Sequence, residues 1–320
     1  MHASAHRIDE HANLAGTNQF EMLLFRLDAH LESSATELYG INVFKVREIV
    51  TSPPITPIAG SNPHSLGVVQ LRDQVIPVYD LPGIVAQPLP EPAPLMIITE
   101  FAGSTQAFTV ASVDDIVRLD WNQVISAEAS GTRNSLITSV ARLDSEGEQL
   151  AQVLDVEAIL QMVTPEEKQP SVKPGNINRV QLPANTMVLA ADDSFVARAL
   201  MGETLEAMGV PFEMVSSGKE AWDRLVALET AARANDGTIQ DKIALVLTDL
   251  EMPELDGFAL TRNIKQDARF KALPVVIHSS LSGAATENHA ASVGADGYVT
   301  KFSADQLAST IQRVLAAANP

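Results

Sequence analysis

The chain has no cysteine among its 320 residues. That excludes disulfides, thiolate metal sites and cysteine nucleophiles. Positive charge is scarce: 22 Lys and Arg stand against 40 Asp and Glu, a formal net charge of −18. A nucleic-acid binder normally carries a basic patch, so phosphate-backbone binding is not expected. The balance suits protein partners, or a site that handles cations. Every apolar run is far shorter than the roughly 20 residues that span a bilayer, and no charged-then-apolar leader opens the chain. A cytoplasmic location without membrane insertion is therefore expected. What is present fits globular domains rather than disorder: 46% hydrophobic and 19% charged residues, in a length that suits two domains.

Residues 1 to about 18 are polar and His-rich, and predict loose order or a short helix. From Glu21 to about Val163 the pattern is mostly β. Short β-branched-rich segments lie at 21–27, 38–44, 67–71, 75–81, 94–101, 106–113 and 149–156, separated by turn formers. Such a series points to barrels or a sandwich. Pro77, inside one segment, predicts an edge or bulged strand. "QPLPEPAPL" (87–95) reads as a stiff internal loop in preference to an extended ligand for another domain. Residues 164–185 are polar and hold four prolines, the composition of an interdomain linker. From Thr186 strands alternate with helices, five of each, which predicts a parallel sheet covered on both faces. The expected division is therefore an N-terminal segment 1–19, an all-β domain 20–163, a linker 164–185 and an α/β doubly wound domain 186–320.

One stretch of that last domain is chemically dense. "LTDLEMPELDG" (247–257) holds four carboxylates in eleven residues and follows the apolar run Ile243–Leu247. Carboxylates resist burial unless paired or metal-bound. In a parallel sheet the active crevice lies beyond the carboxyl ends of the strands. Those ends carry Asp192 and Asp193, Asp249, Ser279 and Lys301. Singly, each has an ordinary explanation: an Asp pair commonly caps a helix, and a lone Lys is usually a surface residue. Together they suggest three carboxylates meeting at one point. A hard divalent cation, Mg²⁺, relieves that crowding through oxygen ligands. Acids, Mg²⁺, a lysine and a hydroxyl make a site for a phosphoryl group carried on a carboxylate.

"ADDS" (191–194), "TDLEMPELDG" (248–257), "HSS" (278–280) and "GYVTK" (297–301) resemble response-regulator receiver domains of the CheY type. The resemblance implies a flavodoxin-like fold with strand order 2-1-3-4-5. It implies that Asp249 accepts the phosphoryl group, with Asp192, Asp193, Asp249 and the backbone carbonyl of Glu251 holding Mg²⁺. Ser279 and Lys301 would then contact the phosphoryl oxygens, and Tyr298 would be the aromatic that turns inward on activation. The chain departs from the usual pattern at Phe302, where Pro is common, at Ser280, and in a longer segment between the second helix and third strand. Residues 20–163 resemble the CheW family of coupling proteins through "YGINVFKVREIV" (39–50), "GVVQLRDQVIPVYDL" (67–81), "VASVDDIVRL" (110–119) and "VLDVEAIL" (153–160). That implies two small five-stranded β barrels without catalytic residues, which bind chemoreceptors and the histidine kinase CheA. Glu48 and Arg72, with Glu48 expected at a strand end or turn, match partner-contact positions. Asp73 stands where Gly is usual, so the turn there is expected to differ. CheW-like followed by receiver is the layout of CheV-type proteins.

The expected function is a non-enzymatic chemotaxis adaptor at chemoreceptor arrays, regulated by phosphorylation at Asp249. A phosphate sink for CheA is the alternative. A phosphatase of the haloacid-dehalogenase type is disfavoured, because such enzymes want a second Asp two residues after the nucleophile and this chain has Glu251. No helix-turn-helix pattern follows the receiver-like region, so the output is expected through the β domain or a separate partner.

Overall fold

The computed structural model describes residues 19–28, 37–59, 62–85, 89, 93–101, 104–127, 136–144, 146–164, 179–281, 283–301 and 303–318. The N-terminal segment 1–18, most of the Pro-rich stretch 87–92, the greater part of the expected linker and Phe302 lie outside them. The chain divides into two compact units, Met1–Gln169 and Pro170–Pro320.

The first unit is built from β1 (Gln19–Arg26), β2 (Leu38–Asn42), β3 (Val46–Thr51), β4 (Ser65–Leu71), β5 (Gln74–Tyr79), α1 (Leu81–Val85), β6 (Leu95–Phe101), β7 (Ser104–Val110), β8 (Ser112–Asp120), β9 (Val124–Ser126), β10 (Ile137–Arg142), β11 (Leu150–Leu154) and α2 (Val156–Val163). They form a six-stranded sheet, β8-β1-β2-β11-β10-β9, and a five-stranded sheet, β3-β6-β7-β5-β4. The expectation of two five-stranded barrels is corrected by the extra strand β9.

Each sheet brings its edges together. In the six-stranded sheet the outermost strands β8 and β9 are consecutive, joined only by the 3-10 turn Trp121–Gln123. In the five-stranded sheet the Arg72 guanidinium, just after β4, reaches Glu48 on β3, so the outermost strands are tied together. Phe20, Met22, Leu24, Leu119 and Val153 fill the first interior; Val69, Ile76, Val78, Met96 and Ile98 fill the second. Phe25, Ile41, Ile97, Phe108 and Ile159 line a small apolar cavity between the sheets. β1 is buried on both faces along most of its length, with Phe20, Met22 and Leu24 in the interior cluster and Phe25 on the cavity between the sheets. Asp155 stops β11 and starts α2, its carboxylate accepting from Ala158 N at 3.0 Å.

Pro77 is not on an edge strand: β5 lies between β7 and β4. The ladder tolerates it because the partner Val68 directs both its N–H and C=O to Thr56, at 2.9 and 2.8 Å. The ladder to β7 begins only at Val78. The β4 side of the ladder therefore asks residue 77 for no N–H. A register shift does occur in the β4–β5 pair, but between Ser65 and Gly67.

The second unit contains β12 (Met187–Ala191), α3 (Phe195–Ala207), β13 (Phe212–Val215), α4 (Gly218–Arg233), β14 (Ile243–Thr248), α5 (Gly257–Gln266), β15 (Val275–Ser279), α6 (Ala284–Ser292), β16 (Gly297–Thr300) and α7 (Ala304–Ala318). The sheet order is β13-β12-β14-β15-β16, all parallel, which is the expected 2-1-3-4-5. Met201, Leu205, Ile311 and Val314 of α3 and α7 cover one face; Leu225, Leu260 and Ile264 of α4 and α5 cover the other. Covered on both faces, β14 is buried at all six positions, which is why it reads as an unbroken apolar run. Ser194, Ser217 and Asp256 cap α3, α4 and α5, each accepting a backbone N–H of the first turn. Gly209, at φ 71°, turns the chain out of α3. Among the described residues no helix is long and apolar enough to cross a membrane.

Candidate functional sites

β12 and β14 are neighbours, so the residues after them meet. Asp192, Asp193 and Asp249 each place a carboxylate oxygen within 4.8 Å of the others. β16 delivers Lys301 from two strands away. Its Nζ lies 2.7 Å from Asp192 Oδ2 and 3.2 Å from Asp249 Oδ1. Asp192, Asp249 and Lys301 are at most 3% exposed, and Asp193 is half-buried. Three carboxylates against one ammonium leave a formal charge of −2. Oxygen donors at this spacing, short of two positive charges, fit a hard divalent cation.

The backbone holds this arrangement. Ser194 N donates to Asp192 Oδ1 at 3.0 Å, and Glu251 N to Asp249 Oδ2 at 3.3 Å. Asp249 N bonds Ala191 O at 2.8 Å, tying the two acidic turns together. The four carboxylates of 247–257 have separated roles. Asp249 enters the site. Glu251 is buried beside it. Glu254 sits at φ 66° in the turn. Asp256 caps α5, accepting from Ala259 N at 2.7 Å; burial raises its pKa, opposed by its backbone hydrogen bonds. Gly257 follows because a Cβ there would stand 2.1 Å from the Asp249 carbonyl.

Ser279 ends β15, fully buried, and its Oγ accepts from Leu281 N at 3.2 Å. The Tyr298 hydroxyl donates to Leu281 O at 2.7 Å. Both ends of the expected switch thus hold the same residue. Burial pushes the Tyr298 hydroxyl up to about 12, with a Ser279 hydrogen bond acting the other way. Missed in the sequence was Arg198, on the first turns of α3. Its Nη1 donates to the backbone carbonyls of both Asp192 and Asp193, each at 2.9 Å. Only its helical distance from the Asp pair hinted at this.

In the first unit, Glu48 and Arg72 do meet, at 2.7 Å. Glu48 is inside β3 rather than at a strand end or turn, and is 5% exposed. The Arg72 side chain is 52% exposed. The tight β4–β5 turn places its positive φ, 53°, on Arg72 and not on Asp73. A buried glutamate under an exposed arginine also occurs at Glu21 and Arg118, cross-strand partners on β1 and β8. The pattern alone therefore does not single out the Glu48–Arg72 pair.

Residues 21–164 match the family model for the CheW-like domain, and residues 188–312 that for the response regulator receiver domain. The chemotaxis protein CheV3 of Helicobacter pylori is 30% identical over 312 residues, covering 95% of this chain and 97% of that protein. CheV2 and CheV1 of the same organism are 28% and 27% identical over similarly complete lengths, each alignment covering 96% of this chain and 98% and 97% of the relative. With both domains present in this order and the alignment running nearly end to end, the chain belongs to the CheV-type chemotaxis proteins, a CheW-like domain joined to a response regulator receiver domain.

Proposed function

We propose that the acidic site accepts a phosphoryl group on Asp249, and that this regulates an adaptor coupling chemoreceptors to the histidine kinase CheA. The adaptor works in the cytoplasm at receptor arrays, without catalysing the turnover of another molecule. The observation that carries the reading is the buried Asp192–Asp249–Lys301 cluster beside Asp193, short of two positive charges. An Asp249 oxygen attacks the phosphorus of a phosphohistidine or of acetyl phosphate; the bond to the donor breaks as the acyl phosphate forms. Asp192, Asp193 and Asp249, with the Glu251 carbonyl, would hold Mg²⁺, which when bound offsets the charge of the incoming group. Lys301 then shifts from Asp192 toward the new phosphoryl oxygens. Ser279 leaves the Leu281 amide to donate to them, and Tyr298, held on Leu281 O, feels that loop move. The affected face is α6, β16 and α7. Its target is the CheW-like domain across the 164–185 linker, at or near Glu48 and Arg72, so that binding to CheA or receptor changes.

Incubating full-length protein with labelled acetyl phosphate and Mg²⁺ should label wild type and leave Asp249→Asn unlabelled. Substantial label on the variant removes the assignment. Pull-down of CheA and receptor with full-length protein, with and without beryllofluoride, tests the coupling. Equal binding in the two states favours the second reading, a phosphate sink that drains CheA.

A further inference from the structure

We infer that Arg198 is the positioning residue for the metal ligands Asp192 and Asp193, acting through their backbone carbonyls. The inference rests on the reading of those carboxylates as Mg²⁺ ligands and adds a residue that the sequence motifs do not contain. Its Nη1 bonds both successive carbonyls at 2.9 Å. Those carbonyls belong to the peptide planes on either side of Asp193. Pinning both to one nitrogen restrains the two dihedrals between them, and with them the direction of the Asp193 side chain. Asp193 is the acid that needs this most. Asp192 and Asp249 are buried, so packing limits their side chains, whereas Asp193 is only half-buried. Arg198 is itself anchored in α3, its backbone N–H bonding Ser194 O at 2.9 Å. Its guanidinium lies 5.9 Å from the centre of the Phe195 ring.

Two effects of this residue on a bound cation have opposite signs. Its positive charge, close to the site, repels the metal, so removing it should tighten binding. Its hydrogen bonds preorganise the ligands, so removing them should loosen binding. Loss of a residue that orients metal ligands typically weakens affinity about 10–100-fold. The positioning role therefore predicts a change against the electrostatic one.

The test is Mg²⁺ titration by calorimetry of full-length wild type, Arg198→Ala and Arg198→Lys, with melting curves in EDTA to establish folding. We expect Arg198→Ala to bind on the order of tenfold more weakly despite the lost positive charge. Arg198→Lys keeps the charge but ends one atom short of Nη1, out of reach of both carbonyls at once, and should remain several-fold weaker than wild type. If Arg198→Ala does not fold, the Lys variant carries the test. Equal or tighter Mg²⁺ binding by a folded Ala variant, or full recovery by the Lys variant, overturns the inference while leaving the site reading intact. No Mg²⁺ uptake by wild type overturns both.

Discussion

The two units differ in their most crowded charges. In the receiver unit, Asp192, Asp249 and Lys301 are sealed from water at the end of a parallel sheet. In the CheW-like unit, two buried glutamates are each covered by an arginine that stays largely in solvent, Glu48 by Arg72 and Glu21 by Arg118, while Glu157 meets the mostly buried Lys45 at 3.7 Å. The first arrangement is costly, because sealed charges cannot borrow compensation from water. The second is cheaper, since either partner can rehydrate, and it serves equally to tie strands or to meet another protein. Two-sided burial alone does not mark a reactive site, since Lys45–Glu157 shares it; the surplus of carboxylates around Lys301 is what sets the receiver cluster apart.

The contrast can be broken most decisively at the metal. Asp193→Ala, or EDTA added to wild type, should abolish Mg²⁺-dependent labelling with acetyl phosphate; unchanged labelling of wild type in EDTA would mean that the sealed charges do not serve a cation. The next effect is on stability. Lys301→Ala leaves two buried carboxylates facing each other and should cost about 3–5 kcal/mol in metal-free buffer. Urea unfolding followed at Trp222, in a Trp121→Phe background, reads this, and added Mg²⁺ should recover part of the loss. Arg72→Ala, read at Trp121 in a Trp222→Phe background, should cost only about 1–2 kcal/mol, because Glu48 can draw in water where the arginine lay. Equal costs at the two sites would remove the distinction between them. Separability of the units is a further check: limited proteolysis should cut first within 164–185 and leave two folded fragments, and early cleavage within 40–80 would count against that boundary.

The smallest effect concerns Asp256. Burial raises its pKa in the folded state, so its protonated form is favoured by folding. The stability it contributes is complete below its unfolded pKa and is lost as pH rises through the folded value. Asn caps a helix about as well as Asp and cannot ionise. Asp256→Asn should therefore melt higher than wild type at neutral pH, by no more than about 2–4 °C, and the difference should vanish in acid. A larger gain at low pH than at neutral pH would reverse the sign of this account.

Receiver elements were legible in the sequence because the central parallel strands, covered on both faces, carry apolar runs, Met187–Ala191 and Ile243–Leu247. In the structure Ser194, Ser217 and Asp256 cap the helices that follow these strands and turns. The strand ends then named the site, since a parallel sheet delivers all its carboxyl ends to one edge. The barrels were less legible. β3, β8, β9 and β10 escaped notice or were merged with neighbours; β8 has only one buried position in nine, so it lacks an apolar signature and is a strand because β1 pairs with it. Pro77 misled for the same reason: its tolerance depends on where Val68 sends its hydrogen bonds, which only the three-dimensional neighbours decide.

By itself, then, the sequence determined which groups could react: three carboxylates, a lysine and a hydroxyl at fixed strand ends, a local matter of pattern and period. Tertiary structure alone decided which groups meet. It set Lys301 against Asp192 more closely than against Asp249, joined Glu48 to Arg72 across the edges of a sheet, and turned Arg198 onto two carbonyls. Those contacts depend on strand order, on closure of the sheets and on the pitch of a helix against its neighbours, and no local run of residues encodes them.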